Sequence, residues 1–171
     1  MRSLIVAAVI AGLAVPAQAQ APVDELTGFS QAVQACRIIV EGGAAATAKK
    51  TGGLVDGPPQ PPGLQSFFFK DAVHVDWWIR PVTAGRVHVG YDPAKNQCRV
   101  FLLAAPRRDA AQRARDALPP GWFAHEDGKT WVRRRDDGTL SVLTVLPGDE
   151  SKGIGANTLA AMAHVWHNTA K

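Results

Sequence analysis

The sequence predicts an α+β domain: one five-stranded, mainly antiparallel sheet with helices packed on one face, in the order α-β-β-β-α-β-β-α. Three observations predict it. Leu26, Phe29, Val33, Cys36 and Val40 recur at helical spacing. "VHVDWWIRP", "RVHVGY" and "QCRVFLLAA" carry strand patterns and are separated by short polar turns, the pattern of an antiparallel meander. A second helical stretch and a second hairpin pattern then follow.

The chain begins with a stretch set apart from the fold. "MRSLIVAAVIAGLAVPAQAQ" has one early cation, Arg2, then an apolar run from Leu4 to Val15, then small residues at Ala17 and Ala19. This is the layout of a secretory signal peptide cut after Ala19, so residues 1–19 are expected to be removed and residues 20–171 to form a single domain. The apolar run is too short to span roughly 30 Å of hydrocarbon as a helix. Cleavage leaves 152 of the 171 residues, enough for a real core. It also takes the formal charge from +4 to +3 by removing Arg2. Such a mild excess is weak evidence for an anionic partner, and an exported location argues against nucleic acid. The expected location is periplasmic or secreted, and after cleavage no segment is long and apolar enough to cross a membrane.

The first helix is expected over residues 23–41, with Asp24 and Glu25 at its positive end and Gly42-Gly43 as its stop. Residues 42–65 read as a long Pro/Gly-rich surface loop, to which "AAATAKKTGG" can add a short helical turn. "SFFFKDAVHVDWWIRP" reads as a strand. Phe67, Phe68 and Phe69 are apolar on both of its faces, so that end should be covered from two sides. "VTAG" and "DPAKN" are turns between the three strands. A second helix is expected over residues 108–118, then a hairpin around Asp136-Asp137-Gly138. A last helix is expected over residues 156–169, with Leu159, Met162 and Trp166 on one face.

Two cysteines, Cys36 and Cys98, suggest one disulfide in an exported protein. Cys36 lies on the apolar stripe of the first helix, and Cys98 shares a strand face with Val100 and Leu102. The bridge requires the first helix to lie on that face of the sheet. A distant pair without a Cys-x-x-Cys motif reads as a structural staple.

Paired strands must agree on which face is buried. The alternation places Val75, Trp77 and Ile79 with Val87, Val89 and Tyr91 on the core face. The other face then gathers His74, Asp76, Trp78, Arg80, Arg86 and His88. Such a patch could be the water-facing side of an antiparallel sheet. It could bind an anion, with arginine forks as donors and the indole as a stacking plane. It could bind a metal through His74, Asp76 and His88. His164 and His167, three apart on the expected last helix, suit a solvated helix end. "HEDG" at residues 125–128 suits a turn, and the charge of "RRR" at residues 133–135 is offset by Asp136 and Asp137.

The sequence has no Gly-x-Ser-x-Gly elbow, no Ser-x-x-Lys and no phosphate loop. These features describe a small exported accessory or binding domain without catalytic activity or cofactor. Its expected partner is an envelope protein or an anionic ligand, and it is expected to be a monomer. The alternative is a metal-dependent or hydrolytic envelope enzyme using the polar sheet face around His74, Asp76 and His88.

Overall fold

Asp24 starts the first helix. In the computed structural model, which describes residues 21–57, 68–103, 112, 115–116, 118, 120–147 and 159–166, its carboxylate accepts hydrogen bonds from the Leu26 and Thr27 amides at 3.1 and 3.0 Å. This caps helix α1 (Glu25–Val40) by satisfying amides that lack an intrahelical partner. Gly42, at φ +89°, ends it in a conformation that glycine adopts without strain. The buried stripe Phe29, Ala32, Val33, Cys36 and Val40 faces the sheet. Each large apolar side chain so buried contributes about 1.5–3 kcal/mol.

The expected signal peptide lies outside the described residues. So do residues 58–65 of the segment expected as a loop over residues 42–65. Its described part is not structureless: it holds helix α2 (Ala45–Gly52) and a two-residue edge strand, β1 (Val55–Asp56). Ala48 and Leu54 there join the core, which supplies the burial that the polar sequence alone did not reveal.

The sheet is antiparallel but has eight strands among the described residues, not five. After β1 come β2 (Asp76–Val82), β3 (Gly85–Asp92), β4 (Gln97–Leu102), β5 (Phe123–Ala124), β6 (Thr130–Arg134), β7 (Leu140–Pro147) and β8 (Leu159–Trp166). Of the expected second helix, Gln112, Arg115 and Asp116 are helical, and most of that segment lies outside the described residues. The expected hairpin around Asp136-Asp137-Gly138 is present as β6 and β7.

The expected last helix is a strand instead. β8 inserts between β4 and β7, hydrogen-bonded on both sides. Alanine-rich sequence favours helix, but here tertiary pairing overrides propensity. Ala161 and Ala163 place small side chains where the sheet passes near α1, and Met162 and His164 face the other way. His164 is therefore a strand residue, and His167 lies outside the described residues.

The order of strands across the sheet is β1-β2-β3-β4-β8-β7-β6-β5, a palindrome in the two halves of the chain. An approximate twofold axis at the Arg99–Met162 pair exchanges them. Following the registers outward from that axis, the row Trp78–Val89–Val100 falls on Trp131–Leu143–Ala163. The row Arg80–Val87–Leu102 falls on Arg133–Ser141–Val165. A Trp-x-Arg triplet thus occupies the same place in β2 and in β6. The short rim strands β1 and β5 are equivalent as well.

Cys36 and Cys98 are joined by a disulfide with Cα atoms 5.3 Å apart, which fixes α1 to the sheet face carrying Val87, Val89 and Val100. The opposite face has a smaller core of Phe69, Val75 and Phe101, against which Phe68, Ala72 and Trp77 pack. Gly90 is needed there. A Cβ on it would lie 2.8 Å from the Phe69 ring and 3.0 Å from Trp77.

Candidate functional site

The two cores decide the fate of the expected polar patch. The two-residue turn Thr83-Ala84 pairs Val82 with Gly85, so Asp76 lies opposite Tyr91, Trp78 opposite Val89 and Arg80 opposite Val87. The even-numbered residues of β2 therefore face α1, and Val75, Trp77 and Ile79 lie on the other side. The expected face assignment was inverted by one residue. Both rows of β2 carry apolar residues and both faces are covered here, so alternation alone could not choose between them.

Trp78 is buried in the main core, stacked on Tyr91 with ring centroids 6.5 Å apart. Arg80 is only 3% exposed. Its Nε donates to Gln31 Oε1 of α1 at 3.1 Å, and its Nη1 has no partner. Burial lowers its pKa. Arg86 is exposed beside the turn, opposite Pro81. His88 is buried on the far face, between its neighbours Ile79 and Phe101. His74 precedes the strand, and its Nε2 lies 3.0 Å from Asp76 Oδ1. The six residues thus separate into a buried pair under α1, an exposed His–Asp pair, a turn arginine and a histidine on the opposite side of the sheet. Among the described residues, no group of three His, Cys, Asp or Glu side chains could hold a metal ion.

Two imidazoles, one buried and one half-buried, have a common property. His88 has its pKa lowered by burial and then by Arg86. His164, whose Nδ1 is buried without a partner, has its pKa lowered by burial and then by Arg99. The unfolded chain therefore binds these protons more readily than the folded one. Their neutral forms contribute stability that is complete above about pH 6.5, the unfolded value, and is lost as pH falls toward the depressed folded values. Thermal unfolding should show a lower Tm at pH 5 than at pH 7.5, and His164→Gln should flatten that dependence. A Tm that is constant or rises on acidification would contradict this account.

The arrangement best suited to a ligand lies elsewhere, on the β6–β7 hairpin. Arg133 and Arg135 both reach the C-terminal end of α1. Arg37 Nη1 donates to Glu41 Oε2 at 2.8 Å. Arg133 Nη2 approaches Glu41 Oε1 at 3.0 Å without hydrogen-bond alignment. Arg135 Nη2 donates to the Glu41 carbonyl at 3.3 Å, and its Nε lies 3.4 Å from Asp137 Oδ2. Glu41, Gly121, Arg133, Arg134, Arg135, Asp136 and Asp137 line a cleft of about 490 Å³. Counting Arg37, four guanidinium groups meet three carboxylates there. Arg133 Nε and Arg135 Nη1 are shielded from water and donate to nothing. Unpaired buried donors are costly, and guanidinium groups form their strongest bonds to anionic oxygen.

The twofold relation sharpens the contrast. Arg80 is closed over by α1 and Gln31, and its equivalent Arg133 borders open volume. In sequence, "RRR" reads as offset charge because acids follow it. The available signal was the recurrence of Trp-x-Arg at Trp78-Ile79-Arg80 and Trp131-Val132-Arg133.

Among the described residues the chain is thus an α+β fold on an eight-stranded antiparallel sheet, with one helix held to it by a disulfide. No family model, no curated protein and no solved structure matches it.

Proposed function

We propose that this chain is a small exported binding domain without catalytic activity, and that it takes an anionic ligand in the cleft at Arg133 and Arg135. The observation that carries this reading is a cleft of ligand size lined by three consecutive arginines, Arg133, Arg134 and Arg135, two of which keep a guanidinium donor without a partner. The disulfide supports export, because such bonds persist in oxidising compartments. The metal-dependent or hydrolytic alternative required His74, Asp76 and His88 in one place, and they lie on two sides of the sheet.

Thermal unfolding tests the proposal. Phosphate at about ten times its Kd should stabilise the domain by about 1.4 kcal/mol. That raises Tm by roughly 3–6 °C for a chain of this size. Arg133→Gln with Arg135→Gln should abolish the shift. If phosphate, sulfate and citrate all leave Tm unchanged, or the double variant responds like wild type, the cleft is not an anion site.

A further inference from the structure

The arginine cleft does not stand alone. A second cavity of about 520 Å³ is lined by Arg115, Leu118, Pro120, Gly121, Trp122, Ala124 and Trp131. Gly121 lines both cavities. Its φ of +95° is a conformation that favours glycine, and a Cβ there would approach Arg133 Cδ at 4.0 Å. Trp122 lines the second cavity, and its ring lies under the Arg133 guanidinium, 5.9 Å from Cζ to centroid. A stacked Trp–Arg pair is therefore the partition between a cationic cleft and an aromatic one.

The second cavity also has unused donors. Trp122 Nε1 and Trp131 Nε1 are both shielded from water and have no hydrogen-bond partner. Trp131 is only 5% exposed, so its N–H has no alternative in solvent. A buried indole ordinarily finds an acceptor. The two cavities thus offer three arginines on one side of the partition, and on the other Leu118, Pro120 and two tryptophans beside a single arginine, Arg115.

From this juxtaposition we propose that the ligand is a small organic anion in which a phosphate or carboxylate is attached directly to a flat apolar body. The anionic group sits against Arg133 and Arg135, and the ring lies across Trp122 toward Leu118 and Trp131. This rests on the anion reading above and adds the class of molecule. Each cavity is within the volume range of small-molecule sites, which favours a small ligand over a protein surface. An aryl phosphate or aromatic acid fits this pair of cavities best.

Calorimetric titration of the purified, disulfide-intact protein with inorganic phosphate and with phenyl phosphate tests this. Phenyl phosphate should bind roughly tenfold more tightly, the gain expected for partial burial of one ring. Leu118→Gln, which alters only the aromatic cavity, should reduce that advantage and leave the affinity for inorganic phosphate unchanged. Trp122→Leu should also reduce that advantage, with circular dichroism confirming the fold. If phenyl phosphate binds no better than phosphate, or keeps its advantage in both variants, the two-cavity proposal is overturned and the anion site stands. If neither probe binds, both readings fail together.

Discussion

Breaking the Cys36–Cys98 bridge is expected to lower stability by about 4 kcal/mol, because the bond closes a long loop in the unfolded chain. The two cysteines are 62 positions apart in sequence. For a domain of this size the loss corresponds to a fall in Tm of roughly 10 °C. Cys36→Ala with Cys98→Ala should show it, as should wild type unfolded in the presence of reductant. The bridge ties α1 to β4, next to the central seam of the sheet, so its loss should loosen the joint on which both halves depend. A thiol assay on denatured, unreduced protein should find no free thiol. Two free thiols, or a Tm indifferent to reductant, would remove the staple from the account.

Trp78→Ala should have a comparable effect for a different reason. Trp78 is 7% exposed, lies in the main core and stacks on Tyr91. Truncating a buried tryptophan to alanine costs about 3–5 kcal/mol, from lost transfer energy and from the cavity left behind. The expected fall in Tm is again roughly 10 °C. Calorimetry would check it. A variant within about 2 °C of wild type, less than a single kcal/mol would produce, would mean that this indole is not a core residue. The sequence places Trp78 on a polar face, where its loss would alter partners and spare stability. Burial under α1 reverses that expectation.

The first helix, the three-strand meander, the β6–β7 hairpin and the disulfide were legible because each rests on a local or one-face pattern. Cys36 lies on a helical stripe, Cys98 on a strand face, and their meeting follows from packing those two faces together. Three features were not legible. The stretch Leu159–Trp166 has good helix formers, and only its position between β4 and β7 makes it a strand. The two faces of β2 could not be ranked, because Phe68 and Phe69 build a second core over the face that was expected to be polar or bound. The cleft at Arg133 and Arg135 depends on Glu41, which is distant in sequence, and on Trp122, which reads only as an aromatic in a loop.

The palindromic sheet has one consequence of its own. Six-residue β4 and eight-residue β8 would each be an open sheet edge if either half stood alone, and such edges recruit other chains. Pairing them satisfies both within one molecule and leaves only two-residue strands at the rims. Every strand of one half then has a counterpart in the other. One member of a pair can be enclosed, as Arg80 is beneath Gln31, and its counterpart Arg133 lies against Glu41 and Trp122 at the edge of a cleft. In this fold, redundancy of position is what leaves Arg133 beside open volume while Arg80 is enclosed.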